Sequence, residues 1–123
     1  MKLMADDLWL ITPVPLSESK LRKRGYNQAE ILAKELAEKV NLKEKDILKR
    51  IKETKTQVGR SNAERKLNIQ GAFEIHNSKF IIHNTNIFLV DDVVTTGATL
   101  LEAAKILKKK GAKRVIGLTL ARD

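Results

Sequence analysis

Asn86-Ile87-Phe88-Leu89-Val90-Asp91-Asp92-Val93-Val94-Thr95-Thr96-Gly97-Ala98-Thr99 is the stretch on which the reading of this chain turns. From Ile87 to Val90 it is apolar, short and continuous. That is the character of a strand buried on both faces, as in a parallel sheet. Adjacent carboxylates would be costly inside a core. Asp91 and Asp92 are therefore expected at the strand's carboxyl edge, facing water or a ligand. Thr95 to Thr99 then turns the chain into a segment patterned as a helix, with Gly97 able to take a backbone conformation that other residues resist. Amides and hydroxyls that converge on a helix N-terminus attract anions. A phosphorylated sugar has the complementary shape: a phosphate for the loop, and hydroxyls or a bound Mg²⁺ for the acids.

Toward the N-terminus, Leu8-Trp9-Leu10-Ile11 reads as the first strand. Pro13-Val14-Pro15-Leu16 stiffens its exit. Ser17 to Asn27 is polar and basic, a loop in which Lys20, Arg22, Lys23 and Arg24 crowd together in a way suited to pyrophosphate. From Asn27 onward, Ala29, Leu32, Ala33, Leu36, Ala37 and Val40 follow helical spacing and predict a helix that covers the sheet. Ile47-Leu48 begins a second strand, continued by Arg50-Ile51-Lys52. Between Glu53 and Lys66 only Val58 and Ala63 are apolar, a composition that suits an active-site flap, with Thr54, Gln57, Arg60 and Arg65 as donors for phosphate. Asn68 to Ile75 returns to a short strand, Asn77-Ser78-Lys79 is a turn, and Phe80-Ile81-Ile82 is a brief hairpin arm. His76 and His83 have no nearby ligand partner in sequence and are expected at the surface.

Beyond the opening stretch, Leu100, Ala103, Ala104 and Leu107 form the buried stripe of the next helix. Lys108-Lys109-Lys110 closes it favourably against the negative helix end, and Gly111 stops it. Val115 to Leu120 is the last strand. Strands alternating with helices predict an α/β fold with a doubly wound, mostly parallel sheet. The Pro13 loop, the flap and the Asp91 loop all fall at carboxyl ends of strands, where such sheets bind ligands.

The 123 residues suit a single domain spanning 1–123. Lys and Arg number 24 against 15 Asp and Glu, a formal charge of +9 that draws polyanions. Aromatic residues make up only 4%, which argues against a base-stacking platform and ranks direct DNA binding through the basic loops third among the functions considered. The absence of cysteine excludes a disulfide framework and a cysteine zinc site. No apolar run approaches the roughly 20 residues of a membrane span. Asp6 and Asp7 interrupt any signal-like start, so a cytoplasmic protein is expected.

Together these motifs resemble the type I phosphoribosyltransferases. The Asp91 stretch resembles their binding motif for phosphoribosyl pyrophosphate (PRPP). Pro13 to Leu16, Arg22 to Gln28, Thr54 to Gln57, Arg65 to Phe73 and the Asp91 loop, in that order, resemble the competence protein F (amidophosphoribosyltransferase-like) family over nearly the whole chain. The resemblance implies that Asp91 and Asp92 contact the ribose hydroxyls directly or through Mg²⁺, and that Thr95, Thr96, Gly97, Ala98 and Thr99 hold the 5′-phosphate. It implies a pyrophosphate loop carrying Pro13, Val14, Pro15, Leu16, Arg22 and Arg24, and a flap from Glu53 to Arg65. The hood and the cysteine-bearing zinc segment of such proteins are expected to be largely absent. The implied function is phosphoribosyl transfer from PRPP to a nitrogen acceptor with release of pyrophosphate. No side chain stands out as a general base, so no catalytic residue is named. The alternative is a non-catalytic PRPP- or nucleotide-binding module that serves DNA uptake beside competence-machinery proteins. A homodimer is a further expectation.

Overall fold

The apolar run around Leu89 is the middle of the molecule. In a computed structural model, which describes residues 8–52, 69–76, 82–94 and 97–122, the elements follow in the order β1 (Trp9–Pro13), α1 (Glu18–Arg24), α2 (Gln28–Val40), β2 (Lys43–Glu44), β3 (Leu48–Arg50), β4 (Phe73–Ile75), β5 (Asn86–Val94), α3 (Ala98–Lys109) and β6 (Arg114–Arg122). The main sheet has the order β2-β1-β5-β6 and is parallel throughout. Trp9 pairs with Asn86 and Pro13 with Val90 on one side of β5, while Asn86 pairs with Arg114 and Asp91 with Thr119 on the other. β3 and β4 form a separate antiparallel pair in which Arg50 lies opposite Phe73.

Alternation along β5 gives the sheet two apolar faces. Ile87 and Leu89 point to one face, where they pack with Leu48, Phe73, Ala103 and Leu107 from the β3–β4 pair and α3. Phe88 and Val90 point to the other, where they pack with Trp9, Ile11, Ala33 and Ala37, so α2 covers that side. Trp9 and Phe88 stack with ring centroids 4.7 Å apart. Ile11, Ile87 and Leu89 are fully buried, as a parallel strand covered on both faces requires. The doubly wound expectation therefore holds.

Three local expectations are corrected. Ser17 to Asn27 is not a loop: Glu18–Arg24 is a helix, capped by Ser17, whose hydroxyl accepts from the Lys20 N–H, and closed by Gly25 in the left-handed region. It buries none of its residues, so it lacks the apolar stripe by which helices are found. The second strand of the main sheet is Lys43–Glu44; Leu48–Arg50 belongs to the antiparallel pair instead. Val40, expected on the apolar stripe of α2, is 46% exposed as the last residue of the helix, just before the Asn41 cap. The Asn77–Lys79 turn, with Phe80 and Ile81 of the hairpin arm, falls outside the described residues. Ile82 is buried in the core.

The end of α3 is locked onto the start of β5. Asn84 N–H donates to Gly111 O (2.8 Å) and Lys113 N–H to Thr85 O (2.8 Å). Gly111 has φ +103°, and a Cβ there would stand 2.9 Å from His83 Nδ1 and 3.2 Å from its Cα. Both the conformation and the space demand glycine.

Candidate functional site

The site forms where β1 and β5 end. Alternation sends Asp91 toward the face of Leu89 and Asp92 toward the face of Val90. Asp91 is half-buried, and one of its carboxyl oxygens accepts the Asp92 N–H at 2.9 Å. Burial pushes its pKa up to about 7. Sharing a hydrogen bond with the neighbouring Asp92 carboxyl adds to the rise, while the Asp92 N–H and the Arg50 guanidinium oppose it. The Thr119 hydroxyl donates to Asp92 O (3.2 Å), tying the acid pair to β6.

Past the acids, Gly97 takes φ +81° as the N-cap of α3 and accepts the Leu101 N–H at 2.9 Å. Ala98 and Thr99 are the first residues of this twelve-residue helix, so the positive end of its dipole follows the carboxylates along the chain. Thr95 and Thr96 lie outside the described residues, as do Thr54, Gln57, Arg60 and Arg65 of the flap.

On the other side of the acids the chain gathers cations. Arg50 is half-buried, its guanidinium 5.3 Å from the centre of the Phe73 ring. Burial lowers its pKa and the charge of Asp91 raises it back, so the two groups lie within each other's field. A cleft of about 410 Å³ opens beside it, with Ser17, Ser19, Arg22 and Lys49 on its walls together with Glu18, which stands 3.9 Å from the Arg22 guanidinium. A second cleft, of about 210 Å³, is lined by Pro13, Pro15, Leu16, Asn27 and His76, carries the acids Glu30 and Asp46, and shares Glu18, Lys49 and Arg50 with the first. Val14 is anchored on both its side chain and its backbone. Its side chain is core, its N–H donates to Val90 O (2.8 Å), and its carbonyl accepts from Asn27 Nδ2 (3.0 Å). It braces the loop from within. Arg24 lies in the last turn of α1 and lines neither cleft. His76 and His83 are exposed as expected, and no group of three or more metal-ligating side chains exists among the described residues.

Sequence reasoning passes over Lys49 and takes Arg50 only as the continuation of a strand. The available signal was a basic pair set inside an apolar run. Its position over Asp91 becomes visible only once β3 folds back on the sheet. The carboxylates fit a divalent cation. Asp91 and Asp92 supply hard oxygens side by side, Asp92 raises the cost of ionising Asp91, and a cation lowers that cost. Two carboxylates alone make no cage, which suits Mg²⁺, an ion that keeps several waters and takes further oxygens from a ligand.

Residues 21–123 match the family described as the phosphoribosyl transferase domain. The chain is 41% identical to competence protein F of Haemophilus influenzae over 113 residues, covering 91% of this chain and 49% of that protein. It is 36% identical to competence protein ComFC of Bacillus subtilis over 123 residues, covering 99% of this chain and 48% of that protein. It is 33% identical to DNA utilization protein YhgH of Escherichia coli K12 over 106 residues, covering 85% and 45%. The chain thus spans about half the length of the curated relatives it matches.

Proposed function

The chain belongs to the phosphoribosyl transferase domain family, and from that premise we propose that it binds PRPP with Mg²⁺ and transfers the phosphoribosyl group to a nitrogen nucleophile. The observation that carries this reading is that the helix start at Gly97–Thr99 follows the Asp91–Asp92 pair in the chain, and that Arg50, on the wall of a cleft with Arg22 and Lys49, lies in the field of Asp91. PRPP carries the matching parts: 5′-phosphate, ribose hydroxyls and pyrophosphate.

The 5′-phosphate accepts hydrogen bonds from the first turn of α3, where the helix dipole also favours it. Asp91 and Asp92 orient the ribose through its 2′- and 3′-hydroxyls. A bound Mg²⁺, held by Asp91, Asp92 and ligand oxygens, would neutralise charge on the departing pyrophosphate. The bond from C1 to the pyrophosphate oxygen breaks, its electron pair leaves with pyrophosphate, and the nitrogen lone pair forms the new bond to C1. Positive charge gathers on the ring as this happens. Arg50, Lys49 and Arg22 stabilise the leaving group from fixed positions, so catalysis is chiefly electrostatic.

A second reading is favoured by the printed names of the relatives, competence protein and DNA utilization protein. In it the same site binds PRPP or a nucleotide without turnover and serves DNA uptake beside other competence-machinery proteins, in the cytoplasm. No helix among the described residues is long and apolar enough to cross a membrane. Thermal melts with PRPP, with and without Mg²⁺, alongside a pyrophosphate-release assay with candidate amines and bases, separate the readings. A melting shift with release supports the transferase, and a shift without release supports the module. No shift at saturating ligand defeats both.

A further inference from the structure

α1 borders the larger cleft without a core of its own. None of its seven residues is buried, and Tyr26, which follows the Gly25 cap, is 49% exposed. Packing of its side chains therefore does not fix where it lies. Its two ends must do so. The cleft depends on this, because α1 supplies Glu18, Ser19 and Arg22 to the walls, whereas Lys49 and Arg50 come from β3. Cations on two walls act on one anion only while the walls keep their spacing.

The entry to α1 is anchored at the end of β1. Pro13 closes the ladder opposite Val90. Pro13 and Pro15 carry no N–H, so Val14 holds the one amide donor of this run, and it is spent on Val90 O. The exit is anchored by Asn27. Its Oδ1 accepts the Ala29 N–H at 3.1 Å and caps α2, a helix that buries Ala29, Ala33 and Ala37. Its Nδ2 donates to Val14 O at 3.0 Å, across the thirteen positions that contain α1. Capping alone does not call for asparagine here. Aspartate caps as well but has no donor, and serine has a single oxygen for both tasks.

We infer that Asn27 is a positioning residue for the cleft: its side-chain amide ties the exit of α1 to Val14 at the entry, and so holds Arg22 in register with Lys49 and Arg50. The inference rests on the reading of this cleft as the pyrophosphate end of the site. Asn27 acts through α1 and not on the reacting atoms. Val14 is the fixed point of the arrangement, since its side chain is core and its N–H is bonded to β5. With the amide in place, α1 is pinned at both ends to the central strand and to the helix that covers it. With the amide gone, α2 keeps its cap from any short polar side chain, the sheet is untouched, and α1 is held at its entry alone. Arg22, whose side chain is 73% exposed, then loses its fixed place while Lys49 and Arg50 keep theirs on β3.

Titration calorimetry on the whole chain, with pyrophosphate and Mg²⁺ and separately with ribose 5-phosphate, tests this. Asn27→Ser and Asn27→Thr each keep a cap for α2 and remove the bond to Val14, with far-ultraviolet circular dichroism establishing that they fold. Each should weaken pyrophosphate binding about tenfold and leave ribose 5-phosphate binding within about twofold. Arg22→Ala should cost about tenfold in the wild type but under about twofold beside Asn27→Ser, whereas Arg50→Met should cost about tenfold in both backgrounds. A residue that served the fold alone would not single out Arg22. Wild-type pyrophosphate affinity in both Asn27 variants, losses at Asn27 and Arg22 that multiply in full, or an equal loss for both ligands overturns the proposal and leaves the pyrophosphate reading standing. A wild type that binds no pyrophosphate defeats that reading and the proposal with it.

Discussion

Asp91→Asn should make the ligand-free protein more stable above neutral pH while removing its response to PRPP. In the fold the Asp91 carboxyl keeps its proton up to about pH 7, against a reference value of 3.8, because it is buried and shares a hydrogen bond with Asp92. The folded state therefore binds a proton that the unfolded state releases near pH 4. The associated stability is fully present below about pH 4 and is lost as pH rises through about 7. Three pH units at about 1.4 kcal/mol each set a ceiling near 4 kcal/mol. Asn at position 91 gives Arg50 no counter-charge, so about 2 kcal/mol is the expected gain at pH 8. For a chain of this size that is roughly 6–10 °C in melting temperature. Glu44 must be separated from this effect, because burial and its hydrogen bond with Asp46 raise its pKa to about 7 too. The readout is therefore the difference between wild type and Asp91→Asn, melted in chelator from pH 4 to 8. The two should agree near pH 4 and diverge as pH rises to about 7, with the wild type falling below the variant. Parallel curves, or a variant less stable at pH 8, would refute the account of Asp91 as a strained, ligand-awaiting acid.

Further tests address the scaffold and the cleft. Gly111→Ala forces a side chain into a conformation at φ +103° and against His83. It should cost about 2–4 kcal/mol in urea denaturation, and a loss under about 1 kcal/mol would contradict the close approach. The buried Thr12 hydroxyl accepts the Ile47 N–H at 3.3 Å. Thr12→Val leaves that donor buried without a partner and should lower stability by about 1–3 kcal/mol, whereas a neutral change would show the bond to be dispensable. Arg50→Met keeps the packing on Phe73 but removes the cation facing the cleft. Pyrophosphate affinity by calorimetry should fall about tenfold, corresponding to about 1.4 kcal/mol, and unchanged affinity would exclude Arg50 from the leaving-group end.

How far the chain could be read in advance depended on the kind of signal each part carries. β5 announced itself because a strand buried on both faces is apolar at every position from Ile87 to Val90. α2 and α3 showed through the spacing of Ala29, Ala33, Ala37, Ala103 and Leu107, all buried. α1 did not, because its marks are polar: a serine cap, Glu18 in the first turn, Arg22 to Arg24 in the last and Gly25 beyond. Such marks are visible in a sequence but easily outweighed by the absence of an apolar stripe. β2 consists of Lys43 and Glu44, held by pairing with Leu10 and Ile11 rather than by any preference of its own. The two acids were legible because adjacent carboxylates after an apolar run have few places to go. Arg50 was not, since only tertiary folding brings β3 to Asp91.

The β3–β4 pair carries a consequence for how this scaffold can change. Ile51 N–H donates to Ala72 O at 2.8 Å, and Lys52 Nζ reaches Gln70 O at 3.3 Å, so the chain departs from the sheet and rejoins it at a single clasp. Closing a longer excursion there adds only about 0.6 kcal/mol per doubling of its length. Whatever is threaded between the two halves of that clasp can be lengthened, shortened or exchanged while Arg50 keeps its seat on Phe73. The clasp is thus a natural grafting point, where new segments could be introduced without rebuilding the sheet or the rim that carries Asp91 and Asp92.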